Sequence, residues 1–205
     1  VSSSTENIEF VYREPSFSYT PIPYHPNMLL EGWFQSEKYF LNNKQAIMDL
    51  FAPKTEILDY LNEKYSDIIA HPNTVSIHLR SYIKENPIYV EVYPTYGREY
   101  VEKAIQLFDA DAQFIVFSDQ IEWAKEELSG LANNMRFIEG EKYFHDFYLM
   151  SMCKHNIICN STFSWWAAYL NRNPNKVITV PSEWFAPKYN HNSQDLIPQE
   201  WVIVK

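Results

Sequence analysis

From Asn73 onward, short apolar runs alternate with longer segments that place apolar residues at helical spacing. This alternation restricts the fold more than any other feature of the chain, because strands joined by helices pair in parallel through right-handed crossovers. The sequence therefore predicts an α/β fold with a doubly wound parallel sheet covered by helices on both faces. The predicted elements, in chain order, are strand Val75–Leu79, helix Gly97–Leu107, strand Phe114–Phe117, helix Ile121–Leu128, strand Arg136–Ile138, helix Phe144–His155, strand Asn156–Cys159, helix Phe163–Asn171 and strand Lys176–Val180.

Residues 1–72 have a different pattern from the rest of the chain. They contain an alternating segment, Ile8–Tyr12, a proline-rich stretch, and helical patterns that begin after Ser36 and after Pro53. Ser36 has the side chain of a helix N-cap. We therefore expect residues 1–72 to be the remainder of an N-terminal half with connecting helices, and residues 73–205 to form the domain that contains the sheet.

Polar side chains stand at the ends of three of the predicted strands. His78 and Arg80 end the first strand, Ser118 and Asp119 the second, and Asn160–Thr162 follow a later one. Ligands of open parallel sheets bind outside the carboxyl ends of the strands, so these residues are candidates for a site. Because side chains alternate with period two along a strand, His78 and Arg80 are expected on the same face.

The segment Asn156–Ala168 predicts a strand, a turn of hydroxyl-bearing residues and an aromatic helix that begins at Phe163. The first backbone N–H groups of such a helix have no partner inside it and can bind a phosphate group. Ser161 and Thr162 are also ordinary N-cap residues, and most strand-to-helix turns bind nothing. Both interpretations stay open from the residues alone. The first indicates a site for a nucleotide or a nucleotide sugar.

The other candidates also have more than one interpretation. Arg80 is either an ordinary surface residue or a guanidinium placed to bind a diphosphate through two hydrogen bonds. His78 is either a site residue or a buried, hydrogen-bonded histidine, and the second interpretation is favoured. Asp119 is expected to be the N-cap of helix Ile121–Leu128.

Charge and cysteine content narrow the classes of partner. A net charge of −9 argues against nucleic acid and anionic membrane surfaces as partners, since both require a basic surface. The longest apolar runs are shorter than the roughly 20 residues of a membrane span, and residues 1–6 lack the features of a signal peptide. Cys153 and Cys159 lack the paired spacing of zinc ligands, so no metal is expected. Two buried thiols, and a single glycosylation sequon that coincides with the candidate turn, favour a cytoplasmic protein.

Four segments resemble the alpha-1,2-fucosyltransferase family, in the family's order: Phe34–Phe40, Val75–Arg80, Phe117–Trp123 and Asp146–Trp166. The resemblance implies a GT-B-type glycosyltransferase with two Rossmann-like halves, of which residues 73–205 would be the GDP-sugar-binding half. It implies an inverting, metal-independent transfer of fucose from GDP-fucose to a hydroxyl of a glycan acceptor. GDP-fucose would be the donor substrate, and no cofactor is implied.

The resemblance also implies roles for individual residues. Arg80 would bind the pyrophosphate and would be catalytic together with His78. Asp146 would accept hydrogen bonds from the guanine edge, for which a carboxylate is chemically suited, although from the residues alone it is equally an acidic residue at a helix start. The donor-binding residues implied are Asp119, Asp146, Asn160, Ser161, Thr162, Phe163 and Ser164.

The chain departs from the family pattern in two places. The first motif usually reads His-x-Arg-Arg-Gly-Asp, whereas Arg80 is followed here by neither the second arginine nor the aspartate. Lys84 or Arg98 is a candidate to replace the charge, and Glu85 or Glu91 is a candidate to replace the carboxylate. The family's glycine-rich opening loop is absent from this chain, which has four glycines. We therefore expect either the C-terminal part of a longer enzyme or a reduced relative. A fucosyltransferase is the predicted function, and a non-catalytic GDP-sugar or glycan-binding protein is the alternative.

Overall fold

A six-stranded parallel sheet forms the centre of the chain in the computed structural model, which describes residues 7–82 and 87–205. The strands are β1 (Phe10–Arg13), β2 (Met28–Glu31), β3 (Thr74–Leu79), β4 (Gln113–Ser118), β5 (Met135–Phe137), β6 (His155–Ile157), β7 (Ile178–Pro181) and β8 (Val202–Val204). The central sheet has the order β5-β4-β3-β6-β7-β8, and every neighbouring pair is parallel. The chain builds outward from β3 in one direction and then returns to place β6 on the other side of β3. This reversal is the switch point of a doubly wound, Rossmann-like sheet.

Helices cover both faces of the central sheet. They are α1 (Lys44–Leu50), α2 (Thr55–Lys64), α3 (Ser66–Ala70), α4 (Pro87–Val92), α5 (Arg98–Ile105), α6 (Ile121–Glu127), α7 (Tyr143–Met152) and α8 (Thr162–Tyr169). Side chains alternate along β4, so Phe114 and Val116 share a core with α5 and α6. Ile115 and Phe117 point the other way and share a core with α2, α3 and α7. None of the helices within residues 7–82 and 87–205 combines the length and apolar character needed to cross a membrane.

The predicted α/β fold with a parallel sheet is confirmed, and each predicted strand and helix has a counterpart within a few residues. The predicted boundary before Asn156 is wrong, because α7 ends at Met152 and His155 already belongs to β6. Cys153 has an extended backbone, with ψ of 158°, and its N–H closes the last turn of α7. His155 Nδ1 then accepts from Val177 N at 2.9 Å, which links the beginnings of two strands. The sequence did not predict α4 or β8.

Residues 7–72 supply a separate two-stranded sheet and helices that pack on the central sheet. β1 and β2 pair in parallel. Ser36 is an N-cap as predicted, but it caps a 3₁₀ turn, Glu37–Tyr39, by accepting from Lys38 N at 3.3 Å, and no α-helix begins there. α2 and α3 share a core with α7. The division of the chain at residue 72 stays a prediction.

A buried polar network joins β3, β6 and the ends of two helices. Asn156 donates to Ser76 Oγ at 2.7 Å and to Met150 O at 2.8 Å. It accepts from Asn171 Nδ2 at 2.8 Å, and Asn171 also donates to Cys153 O at 2.8 Å. Asn156 and Asn171 are both about 1% exposed, so these groups find their partners inside the protein rather than in water. The network holds β6 beside β3 at the switch point.

Asn156→Ala is expected to lower the free energy of unfolding by about 2–3 kcal/mol, because it removes three buried hydrogen bonds, to Ser76, Met150 and Asn171. Urea unfolding followed by circular dichroism measures the loss. Asn175→Ala, at an exposed position, is the matched control and should cost less than about 0.5 kcal/mol. Equal losses in the two variants would mean that the network contributes no stability.

Candidate functional site

The carboxyl ends of β3, β4 and β6 meet at one edge of the sheet, and two clefts open there. One, termed the carboxylate cleft, has a volume of about 300 Å³. The other, termed the turn cleft, has a volume of about 280 Å³. The carboxylate cleft is lined by His78, Arg80, Phe117, Ser118, Asp119, Tyr143, Asp146 and Phe163. The turn cleft is lined by Trp33, Gln35, Arg80, Tyr82, Tyr89, Tyr93, Asn160, Ser161, Thr162, Phe163 and Trp184.

Arg80 lines both clefts, because it directly follows β3 at the switch point. Its Nε lies 3.7 Å from Asp119 Oδ2, and its guanidinium lies 5.5 Å from the centre of the Tyr82 ring. Among the described residues that line the two clefts, it is the only one that carries a positive charge at neutral pH. A chain with a net charge of −9 therefore places a cation where the strand ends converge.

Asp119 does not cap the helix that follows it, so that prediction is wrong. α6 begins at Ile121 with Gln120 as its N-cap. Asp119 instead turns toward β3, where its Oδ1 accepts from Ser81 N at 3.1 Å and its Oδ2 faces Arg80. The carboxylate thus holds the backbone after β3 and orients the guanidinium at the mouth of both clefts.

The hydroxyl turn ends in a helix that points its N-terminus at the turn cleft. α8 begins at Thr162, with Ser161 as its N-cap, and the Ser161 side chain makes no capping hydrogen bond. Ser161 N donates to Cys159 O at 2.8 Å, and in α8 the N–H of Trp165 donates to Ser161 O at 2.9 Å. The earlier N–H groups, from Thr162 and Phe163 onward, precede that bond. They are therefore available to an anion, and the helix dipole favours negative charge there.

The amide nitrogen of Asn160 and the hydroxyl of Ser164, which flank this turn, bond within the protein, whereas Asn160 Oδ1 is buried with no hydrogen-bond partner among the described residues. Asn160 is about 1% exposed, and its Nδ2 donates to Pro94 O at 2.9 Å and to Trp184 O at 3.1 Å. The amide nitrogen of the sequon is therefore occupied in the fold, which ties together the loops around the turn cleft. Ser164 is fully buried and donates to Ser161 O at 3.2 Å. Any contact of Ser164 with a ligand would use its backbone.

His78 is a buried, neutral histidine that borders the carboxylate cleft. It is about 4% exposed, and its Nδ1 lies 3.3 Å from Cys159 Sγ. Burial, and secondarily the charge of Arg80, lowers the pKa of His78 to about 3. His78 and Arg80 line the same cleft, as the strand periodicity predicted. The ring of His78 lies 5.6 Å from that of Phe163, so it also supports the wall shared by the two clefts.

Asp146 presents a carboxyl group without a partner to the carboxylate cleft. It lies in the first turn of α7, and its Oδ1 is buried with no hydrogen-bond partner among the described residues. Burial, and secondarily the charge of Glu141, raises the pKa of Asp146 to about 7. A buried polar atom of this kind is costly unless a ligand supplies donors. The carboxyl group is therefore suited to a ligand with adjacent N–H groups.

Two of the four residues that were candidates to replace the missing motif residues, Arg98 and Glu91, line neither cleft. Arg98 lies away from both clefts, because its Nη1 donates to Glu127 O and Ser129 O at the end of α6. Glu91 pairs with Lys188 at 3.0 Å and lines neither cleft. Neither residue therefore replaces the missing group. Lys84 and Glu85 lie outside the described residues.

The prediction from sequence missed much of the turn cleft. Tyr82, Trp184 and the α4 region follow no periodic pattern that would have marked them as site residues. Tyr82 donates its hydroxyl to Asn160 O at 2.9 Å and lies beneath Arg80. Gln35 belongs to a segment that carried the family resemblance, and this was the available signal for it.

Among residues 7–82 and 87–205, no cluster of three or more His, Cys, Asp or Glu side chains could hold a metal ion. The clefts instead combine a guanidinium, a helix N-terminus and a carboxyl group at the switch point of a parallel sheet. Such groups at the switch point are chemically suited to an anionic ligand.

Comparison with known proteins identifies the family. The family described as glycosyl transferase family 11 matches residues 6–205, and the chain belongs to it. The chain is 35% identical over 185 residues to an alpha-1,2-colitosyltransferase of Escherichia coli. This match covers 85% of the chain and 61% of that protein. It is 32% identical over 183 residues to the O-antigen biosynthesis glycosyltransferase WbnK of Escherichia coli, covering 84% and 59% of the two chains.

A mammalian relative is more distant. The chain is 26% identical over 180 residues to galactoside alpha-(1,2)-fucosyltransferase 2 of Oryctolagus cuniculus, covering 78% of this chain and 47% of that protein. The chain thus spans about 60% of the length of the two bacterial relatives and under half of this one. The resemblance to the alpha-1,2-fucosyltransferase family is confirmed.

Relative to the parent, Asp146→Asn should gain in free energy of unfolding as pH rises from about 4 to about 7. In this window the folded chain holds a proton that the unfolded chain has released, so the parent loses stability as pH rises toward the raised pKa of about 7. The asparagine variant holds no such proton. The difference in unfolding free energy should grow up to about pH 7 and then level off. A series of urea unfolding curves measures it, with exposed Asp59→Asn as control. A flat difference for Asp146→Asn would contradict the burial argument.

Proposed function

We propose that the protein transfers fucose from GDP-fucose to a hydroxyl of a glycan acceptor, with inversion at the anomeric carbon. The observation that carries the proposal is the convergence of Arg80, the N-terminus of α8 and the unpartnered Asp146 carboxyl in a chain of glycosyl transferase family 11. The sheet would be the donor-binding half of a GT-B-type enzyme. The proposed reaction needs neither a cofactor nor a metal.

The diphosphate of the donor would lie between Arg80 and the start of α8. The guanidinium offers two parallel hydrogen bonds to phosphate oxygens, and the N–H groups of Thr162 and Phe163 offer more from the other side. Asp119 would act as a positioning residue, since it fixes Arg80 without offering a donor of its own. Because Arg80 and Phe163 line both clefts, the diphosphate at this point would join the nucleoside to the sugar.

The guanine base would occupy the carboxylate cleft. Guanine carries N1–H and N2–H₂ on one edge, and an ionised carboxylate accepts from both. This pairing would supply the partner that Asp146 Oδ1 lacks among the described residues. Aromatic residues Phe163 and Tyr143 line the same cleft and provide apolar surface for a base.

In the proposed reaction, the acceptor hydroxyl oxygen forms a bond to C1 of the donor sugar while the bond from C1 to the β-phosphate oxygen breaks. GDP leaves with that electron pair, and the hydroxyl proton leaves to a base. Negative charge grows on the departing diphosphate, where Arg80 and the α8 N–H groups would stabilise it. His78, with its pKa near 3, is too weak a base to remove the proton and would act as a neutral hydrogen-bonding group.

The name of one bacterial relative indicates a second candidate for the donor sugar. That relative is an alpha-1,2-colitosyltransferase, so a GDP-linked colitose is the alternative donor for the same site. A GDP-release assay with GDP-fucose or GDP-colitose, in the presence of galactoside acceptors, tests the function. Release that depends on acceptor supports transfer. Retention of GDP-sugar without release, with any of these acceptors, would instead indicate the non-catalytic binding protein.

Arg80→Lys should weaken GDP binding by about tenfold or more, because lysine keeps the charge but loses the paired hydrogen bonds to phosphate. Isothermal titration calorimetry measures the dissociation constant. Arg13→Lys, on the exposed surface of β1, is the matched control and should leave GDP affinity unchanged. An unchanged dissociation constant for Arg80→Lys would remove Arg80 from the diphosphate site.

Asp146→Ala should reduce the affinity for GDP much more than the affinity for ADP. The carboxylate accepts from guanine, whereas adenine presents an acceptor at the matching ring nitrogen. Competition binding with both nucleotides measures the ratio of the two affinities, with Asp59→Ala as control. If Asp146→Ala alters folding stability while the GDP-to-ADP ratio stays the same, the carboxyl does not read the base.

A further inference from the structure

The loop from Gly32 to Ser36 is held rigidly at the border of the turn cleft. The Glu14 carboxylate accepts from Trp33 N at 2.7 Å and from Phe34 N at 2.9 Å. Tyr39 donates its hydroxyl to the other oxygen of Glu14 at 3.1 Å. On the far side, Ser36 Oγ donates to Asp195 O at 2.6 Å. The loop is thus held at both ends by hydrogen bonds, of which all but the one to Trp33 N are partly buried.

The backbone of this loop is strained. Phe34 has φ of 47°, in the left-handed region that residues with a side chain rarely adopt. A Cβ added to Gly32 would lie 2.4 Å from Glu14 Cβ, so a glycine is required for the close approach of that carboxylate. Strain of this kind persists only where surrounding contacts impose it, and it concentrates at ligand sites.

The loop leaves two side chains in unfavourable positions. Trp33 is 73% exposed. Two residues along, Gln35 Oε1 is buried and has no hydrogen-bond partner among the described residues. Both side chains line the turn cleft beside Thr162, and both also line an adjoining aromatic cavity of about 300 Å³. An exposed large aromatic ring and a buried unpaired acceptor, side by side, fit a ligand that covers one and donates to the other.

The lining of the aromatic cavity restricts the chemistry of that ligand. Every described residue that lines it is uncharged, and tryptophans predominate: Trp33, Trp165, Trp166 and Trp184. The ligand is therefore uncharged, with one apolar face and at least one hydroxyl or N–H donor. A pyranose has these properties, because its C–H groups form an apolar face and its hydroxyls surround the ring.

We propose that Trp33 and Gln35 form the subsite for a pyranose ring of the acceptor glycan. The ring lies with its C–H face on the Trp33 indole and donates one hydroxyl hydrogen bond to Gln35 Oε1. This inference rests on the proposed function, since the transfer reaction is what requires a glycan next to the diphosphate. Thr162 lines both the turn cleft and the aromatic cavity, so the acceptor ring adjoins the place where the donor sugar leaves GDP.

The test measures binding of methyl β-galactopyranoside to the whole chain saturated with GDP, by calorimetry and by the tryptophan indole N–H signals in NMR spectra. Trp33→Ala and Gln35→Leu should each raise the dissociation constant of the sugar about fivefold or more, and leave that of GDP within about twofold. Gln35→Glu keeps an acceptor oxygen at the same place and should retain sugar affinity. Trp33→Phe keeps an aromatic face and should lose less than Trp33→Ala.

Matched controls are Tyr24→Ala, which removes an aromatic ring that is 89% exposed elsewhere, and Gln199→Ala, which removes an exposed amide. Neither should change sugar affinity. The subsite is overturned if the parent binds GDP but not the sugar, or if Trp33→Ala and Gln35→Leu bind the sugar as the parent does. Failure of the parent to bind GDP would instead defeat the proposed function. A GDP-bound parent that binds cyclohexanol as well as the sugar would overturn recognition of a pyranose.

Discussion

The pairing of β3 with β6 is the interaction on which the site depends. These strands are far apart in sequence, and their register sets Ser76 opposite Asn156 and Ile77 opposite Ile157. The buried network of Asn156 secures that register from within. Because the strands are parallel neighbours at the reversal of chain order, their carboxyl ends open at one place. Arg80 and the hydroxyl turn before α8 therefore meet there, although 80 residues separate β3 from β6 in the paired register.

The electrostatics of the site are local and oppose the charge of the whole chain. A net charge of −9 repels an anionic ligand at long range, so the proposed binding of a diphosphate would depend on short-range groups. Arg80 supplies a cation, α8 supplies backbone donors, and Asp119 holds the cation in place. On the other side of the site, burial raises the pKa of the Asp146 carboxyl, and the N–H donors of the proposed ligand would stabilise its ionised form. In the proposed donor complex, the same desolvation that makes Asp146 costly in the free protein would make it selective toward a base.

The N-terminal region contributes to the site as well as to the core. α2 and α3 pack on one face of the sheet with α7, so residues before 73 help bury the central strands. The loop held by Glu14 reaches the turn cleft and places Trp33 and Gln35 beside residues of α8. The proposed acceptor subsite thus combines residues that precede the sheet with residues that follow β6. If the subsite is divided in this way, acceptor recognition would depend on how the N-terminal region is anchored.

The sequence by itself determined the alternation of strands and helices, since apolar periodicity reports which residues face a core. It also marked Arg80 and the hydroxyl turn, because residues at the ends of parallel strands share an edge whatever the order of the strands. Asp146, which lies at a helix start, was marked only by the family resemblance. Tertiary structure alone decided which partner each polar group takes. Asp119 turned to Ser81 and Arg80 instead of capping α6, and Asn160 bonds to carbonyls far along the chain. The positions of Trp33 and Gln35 likewise depend on the hydrogen bonds of Glu14 to the loop backbone. No apolar periodicity in the sequence predicts this contact. Periodicity encodes burial, whereas hydrogen-bond partners depend on which distant segments the packed fold brings within reach.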